Sequence, residues 1–227
     1  MQPYLFPYIG YFQLIKAADV FVIYDNIKYT KKGWINRNRI LCQDKESMFT
    51  LPLKKDPDSF EISQRSVSEV FQRGRFLNDF FEAYYGAPFR EETTAMLDEA
   101  ISEHEQNLFA FLLKTINTIC NHVGITTPIH ISSELPVDHR LRGKDRVLAI
   151  CDVFNASAYV NPIGGVELYD RGEFSARGFD LRFLKSRPIT YQQFKSEFVP
   201  WLSIVDVLMF NGAEKVSKTL LEEFDLV

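Results

Sequence analysis

The sequence predicts an α/β fold: a mixed, mostly parallel sheet with a helical insertion around residues 67–123, in one domain spanning 1–227. Three observations predict it. Val20–Tyr24 (VFVIY) is a short, continuous β-branched and aromatic run, the pattern of a strand buried on both faces. Strand-like and helix-like segments alternate on both sides of the centre of the chain. Between Val67 and Val123, three stretches in succession carry apolar residues three and four apart.

In chain order, Pro3 and Pro7 hold the opening extended. Helical spacing starts near Gly10 and runs to Ala18, and the buried strand Val20–Tyr24 follows, ending at Asp25. A strand preceding Met1 would complete a βαβ unit. RNRILC and MFTLPL are expected as two strands joined by the polar turn QDKES. The three helical stretches are residues 66–85, 90–105 and 107–123; YGAP separates the first two and Gly124 closes the third. IHISS is a strand, GKDRVLAICDVFN a helix, AYVNPIGG a strand entering a glycine turn, and GFDLRFL a further strand. The end reads as two helices broken at Asn211–Gly212. The strands at 20–24, 159–161 and 181–184 are expected to share one sheet.

Composition narrows the function. Hydrophobic residues make up 46% of the 227 positions, with 20 phenylalanines, which suits a packed core. The formal net charge of −4 argues against wrapping a nucleic-acid duplex, though a local patch can hold phosphate. Cys42, Cys120 and Cys151 have no metal-ligand spacing, and their odd number fits a reducing compartment. With no signal-peptide pattern and no apolar run near the roughly 18 residues that span a bilayer, a cytoplasmic protein without membrane insertion is expected.

The densest chemical signal is YTKKGWINRNRIL, just after Asp25. Ligands of open α/β sheets collect beyond the carboxyl ends of strands. There Lys32, Arg37 and Arg39 offer donors for an anion, Asn36 and Asn38 can fix a hydroxyl or base edge, and Trp34 offers a ring face. Together they suit an anionic, hydroxyl-rich small molecule such as a nucleotide-sugar. The other open reading puts the arginines on a solvated strand face, paired with carboxylates. Arg37 and Arg39 are expected to alternate in direction along their strand, so that only one points into the cleft, with Asn36 and Asn38 sharing the other face. Asn161, Gly164 and Gly165 follow another strand, where glycine lets backbone approach a ligand or simply makes a turn. Asp25 and His139 are the candidate general acid–base groups. Gln2 and Tyr4, in the opening loop, join the substrate-binding set. Asp206 sits within an apolar helix and needs a partner. KVSKT, residues 215–219, is similar to the lysine loop of nucleotide-activating synthetases, but no histidine accompanies it in PYIGYF. No metal site is expected, and no cofactor is assigned.

MQPYLFPYIGYFQLI, DVFVIYDNIKYTKKGWINRNRIL, FTLPL, YVNPIGG and LSIVDVLMFNG together resemble the WbqC-like protein family of bacteria. The resemblance implies a role alongside surface-polysaccharide (O-antigen) genes, with transfer of an aminoacyl group such as glycyl onto a nucleotide-linked amino sugar as a suggested reaction. An acyl or aminoacyl donor would then be a second partner. The family pattern matches at Gln2, Pro3, Asp25, Trp34, Asn36, Arg37, Asn38, Arg39, Asn161, Gly164, Gly165 and Asp206. It departs at Asn26, where a second aspartate is common, which weakens any metal pair. Family members also carry a few apolar residues before the Met-Gln-Pro. Two other functions stay open: a non-catalytic sugar-nucleotide-binding accessory protein, and a nucleotide-activating enzyme of class I synthetase-like fold.

Overall fold

The computed structural model describes residues 1–101, 104–194 and 197–227. The part of the second helical stretch at 102–103 lies outside them. The architecture is α/β, with small parallel and mixed sheets. Helix α1 (Ile9–Lys16) leads into β1 (Phe21–Ile23), which pairs in parallel with β4 (Ile129–Ile131). Strand β5 (Ala158–Pro162) pairs in parallel with β6 (Asp180–Ser186), and β6 pairs antiparallel with β7 (Phe224–Leu226). The expectation of a single sheet is therefore corrected in one respect. β1 and β5 are not hydrogen-bonded to each other; both line a cavity between their two sheets. Met1 pairs beside β1 by one residue: its amino group donates to the Val22 carbonyl (2.6 Å) and the Tyr24 N–H donates to the Met1 carbonyl (2.8 Å).

Strands β2 (Arg37–Cys42) and β3 (Lys45–Thr50) form a hairpin closed by Gln43 and Asp44, both with positive φ (50° and 59°). That two-residue turn is shorter than the five-residue loop expected. Its left-handed residues match the twist of the flanking strands, so polar Lys45–Ser47 enters the ladder. Helix α2 (Arg73–Ala83) starts later than its periodicity suggests, because Ser66 and Val67 are held extended by bridges to Asn107 and Leu53. Helix α3 (Arg90–Ala100) and helix α4 (Leu108–His122) follow. Asn107 caps α4 by accepting from the Ala110 N–H (3.1 Å), a contact worth about 1 kcal/mol. The α4 face bearing Leu112, Ile116 and Ile119 is fully buried in the main core.

Helix α5 (Gly143–Val153) covers a smaller core with Phe174, Phe179 and Phe183, next to the short helix α6 (Arg171–Ser175). Helix α7 (Ile204–Lys218) is kinked at Gly212, whose φ of 69° no helical residue adopts, at the break expected from Asn211–Gly212. Lys215 and Lys218 of KVSKT lie in its last turns, and Lys218 pairs with Glu214 at i,i+4. Among the described residues no helix is long and apolar enough to cross a membrane.

Candidate functional site

A cavity of about 840 Å³ runs along β1 and β5 and is closed by α5. Gln2, Tyr4, Tyr24, Arg146, Tyr159 and Asn161 contribute to its wall. Its charge is lopsided: Arg142, Arg146 and Arg182 line it against one carboxylate, Asp19. Arg182 is paired with Asp180 (2.7 Å), and Arg142 is turned onto the His139 and Leu141 carbonyls.

Arg146 differs from both. It sits on α5 among Val147, Leu148, Ile150 and Cys151 and is only 3% exposed. Its Nη2 donates to the Asn26 Oδ1 and to the Ser132 Oγ (2.7 Å), and its Nη1 reaches the Asn26 carbonyl (3.4 Å). The guanidinium stands 5.0 Å from the centre of the Tyr24 ring. Its Nε is buried without a partner, and among the described residues no carboxylate pairs with it. A charge this deep, held only by neutral acceptors, carries a desolvation cost of several kcal/mol that an anion would offset.

The surrounding titratable groups follow from that burial. Desolvation, only partly opposed by Arg146, pushes the Tyr24 hydroxyl up to about 12. Tyr159 is raised well above its ordinary value by burial and by Tyr169. Both hydroxyls are therefore protonated hydrogen-bond donors at neutral pH. The Met1 amine is held down to about 5 by burial first and the Arg146 charge second.

The residues singled out from sequence fall into three groups. Gln2, Tyr4 and Asn161 line the cavity. The Tyr159 hydroxyl donates to the Asn161 Oδ1 (3.2 Å), and a Cβ at Gly165 would stand 2.0 Å from the Asn161 Nδ2. Glycine at 165 is thus what lets Asn161 lie against the turn; Gly164 has nothing within 4 Å of a would-be Cβ. Asp25 and His139 sit behind the cavity rather than in its lining. The buried Asp25 carboxylate accepts from the Ser133 N–H (3.0 Å), tying β1 to the turn after β4. Exposed His139 meets the Asn26 Nδ2 through its Nδ1 (3.3 Å), so Asn26 bridges His139 and Arg146.

The third group lies around the hairpin and does not line the cavity. Asn36 and Asn38 are buried and spent on the fold: Asn36 accepts from the Tyr29 hydroxyl (2.7 Å) and donates to the Leu51 carbonyl (2.8 Å). Asn38 donates to the Leu5 (3.1 Å) and Phe6 (2.8 Å) carbonyls. Arg37 folds back onto the Lys32 (2.7 Å) and Gly33 (3.1 Å) carbonyls of its own loop. Arg39 pairs with Glu46 (2.8 Å), donates to the Trp201 carbonyl (3.1 Å) and stands 5.1 Å from the Trp34 ring centre. Trp34 is 41% exposed. Side chains two apart on a strand share a face, so Arg37 and Arg39 lie together on the outer side, correcting the expectation that one of them turns inward. Asp25, Trp34, Asn38, Arg39, Gly164 and Gly165 do not converge on one concave surface with the cavity lining.

Sequence reasoning missed Arg146, Tyr24 and Tyr159. The signal for Arg146 was present: it stands four residues before Ile150, at an apolar-face position of the α5 repeat. Asp206, expected to need a partner, has three. Tyr84 (2.8 Å), Tyr191 (2.6 Å) and Gln193 (2.9 Å) all donate to its carboxylate, which pins the 191–193 segment to α7.

No solved structure matches the chain. It is similar to the uncharacterized protein Rv1507c of Mycobacterium tuberculosis (strain ATCC 25618 / H37Rv), 27% identical over 212 residues that cover 92% of this chain and 90% of that protein. The pattern of the WbqC-like protein family matches residues 2–218. With nearly the full length matched, from the opening loop through α7, the chain belongs to the WbqC-like protein family.

Proposed function

We propose that this protein binds a nucleotide-linked sugar in the Arg146 cavity and transfers an acyl or aminoacyl group to it in surface-polysaccharide (O-antigen) synthesis. The observation that carries the binding half is Arg146 itself: among the described residues, a buried guanidinium with no carboxylate against it, in a cavity lined by three arginines and one aspartate. A diphosphate would supply the missing negative charge, and a planar guanidinium suits phosphate oxygens. Tyr24, Tyr159, Gln2 and Asn161 are donors and acceptors suited to sugar or ribose hydroxyls.

In the transfer, the amino-sugar nitrogen attacks the acyl carbon, the N–C bond forms and the bond to the acyl carrier breaks. The amine proton passes to a base, and the oxygen of the tetrahedral intermediate needs donors. Asp25 and His139 are proposed for the proton and the arginines for the oxyanion. One observation favours a second reading, that of a binding protein without catalysis: both titrating groups lie outside the cavity lining, and the Asp25 carboxylate is already engaged by a backbone N–H.

The test is a thermal-shift series with nucleotide-sugars, ATP and acyl-CoAs against wild type and Arg146→Met. A nucleotide-sugar at about 100 times its Kd should raise the melting temperature by roughly 5–10 °C. Arg146→Met should fold with an unchanged or higher melting temperature, because an apolar side chain replaces an uncompensated charge, and should lose the ligand-induced shift. A shift that survives in Arg146→Met would overturn the assignment. With binding established, release of the free acyl carrier on mixing donor and nucleotide-sugar separates a transferase from a binding protein.

A further inference from the structure

A second cavity, of about 1190 Å³, lies between the β2–β3 hairpin, α2 and residues 192–194, and its chemistry is the reverse of the first. Its wall is aromatic. Phe49 packs on Phe80 (4.9 Å between ring centres), Phe76 on Phe80 (5.3 Å) and Phe194 on Phe210 (4.9 Å). Two large side chains at its edge are open to solvent, Met48 at 50% and Tyr85 at 74% exposure. Arg90 lies against the Tyr85 ring but is not part of the lining, and it pairs with Glu91 (3.5 Å). The charged lining residues are Asp44, Asp79 and Glu82; among the described residues no lysine or arginine lines the cavity. None of those three exposed carboxylates has an ion pair or a hydrogen bond among the described residues, although other carboxylates there, such as Glu46, Glu69 and Asp98, are paired.

We infer that this groove is a docking site for a basic amphipathic helix of a partner protein. An apolar floor selects an apolar face, and three unpaired carboxylates around it attract flanking lysine or arginine. The size fits. A helix with side chains is about 10–12 Å across, so a cavity of 1190 Å³ holds roughly two turns of one. Exposed methionine beside aromatic rings is an adaptable surface for helix capture. The docking surface shares no lining residue with the Arg146 cavity, so it stands independently of the nucleotide-sugar assignment.

The probe is a fluorescein-labelled synthetic helix of about 14 residues, leucine and phenylalanine on one face and lysine at its borders, followed by anisotropy. Two controls share its length: one with glutamate in place of lysine, the other with the same composition in scrambled order. The basic helix should bind wild type, weaken with added salt, and bind the Asp79→Asn/Glu82→Gln double variant roughly tenfold more weakly, about two exposed charge interactions. Both changes are on the solvent-exposed side of α2, so the fold should be retained, checked by circular dichroism. Tyr85→Ser, which removes an exposed ring and no charge, should weaken binding without altering its salt dependence. Equal binding of the glutamate or scrambled helix, unchanged affinity in the double variant, or no binding of any helix would each overturn the proposal. Displacement of the bound helix by low concentrations of a small cation such as spermidine would assign the groove to small amines instead.

Discussion

Replacing Asn38 with alanine separates a fold-holding role from a ligand-holding one within the NRNR run. The Asn38 Nδ2 donates to two carbonyls of the opening segment, Leu5 (3.1 Å) and Phe6 (2.8 Å), and its Oδ1 accepts from the Arg39 N–H (2.9 Å). Phe6 stands at φ 44°, a conformation a phenylalanine does not hold unaided. In Asn38→Ala the Phe6 carbonyl keeps its bond from the Ser203 hydroxyl (2.7 Å), while the Leu5 carbonyl loses its side-chain donor in a buried position. The stranded Leu5 carbonyl costs about 1–3 kcal/mol and the lost bond from the Arg39 N–H about 1, while the Phe6 carbonyl stays satisfied, so the substitution should cost roughly 3 kcal/mol. For a chain of this length that lowers the melting temperature by about 6–12 °C. Urea unfolding followed by circular dichroism should show the midpoint fall with the slope unchanged. A variant as stable as wild type that no longer binds a nucleotide-sugar would refute the reasoning and return Asn38 to the binding site.

Arg39→Ala removes a half-exposed pair with Glu46 and packing on Trp34, so its unfolding midpoint should move by less than ~1 kcal/mol equivalent. By isothermal titration its affinity for a nucleotide-sugar should match wild type; a loss of about 1.5–3 kcal/mol would instead place Arg39 against the anion. Gly212→Ala forces a left-handed residue and sets a Cβ 2.6 Å from the Phe89 ring, and should destabilise by about 2–4 kcal/mol in chemical denaturation; a smaller change than ~1 kcal/mol would mean the α7 kink relaxes freely. For Asp206, burial raises the folded-state pKa above the unfolded value, against the pull of Tyr191, Gln193 and Tyr84. The stability this adds is fully present below the unfolded pKa and is lost as pH rises through the folded one, so the advantage of wild type over Asp206→Asn should shrink from acid toward neutral pH in urea titrations. An advantage that grows instead would mean the three donors outweigh desolvation.

The elements easiest to read in the sequence were those specified locally. Val20–Tyr24 contains β1, the stretch 107–123 contains α4 with its Asn107 cap, and Asn211–Gly212 marks the break in α7. Where local pattern failed, distant chain was responsible. Ser66 and Val67 open a stretch with helical apolar spacing but are held extended by Asn107 and Leu53. Lys45–Ser47 reads as a turn because both faces are polar, and it pairs because the I′-like geometry of Gln43–Asp44 leaves it no other course. The lining of the candidate cavity was legible at its edges, through Gln2, Tyr4 and Asn161, and not at Arg146. Composition flagged the cation cluster around Trp34 and passed over a lone arginine in an apolar helix.

That inversion has a physical cause. A side chain is available to a ligand when the protein leaves its hydrogen-bonding capacity or its charge unmatched, and neither property belongs to a residue type. Asn38 and Asn36 are the better ligand-binding residues by type, yet carbonyls of residues 5, 6 and 51 claim their amides. Arg37 and Arg39 are the denser cations, yet their guanidiniums go to loop carbonyls, to Glu46 and to the backbone of Trp201. Arg146 also has hydrogen-bond partners, but all are neutral, and hydrogen bonds to neutral oxygens do not cancel a buried positive charge. Burial of an unbalanced charge, more than donor count, sets it apart from the two arginines of the NRNR run: Arg39 is paired with Glu46, and Arg37, though held by neutral carbonyls, is only half-buried. Matching it with a protein carboxylate, for instance by Ser132→Asp beside its Nη2, should therefore stabilise the fold while competing with any anion for the same guanidinium, and a variant that gains stability yet keeps full ligand affinity would show that the anion is held elsewhere.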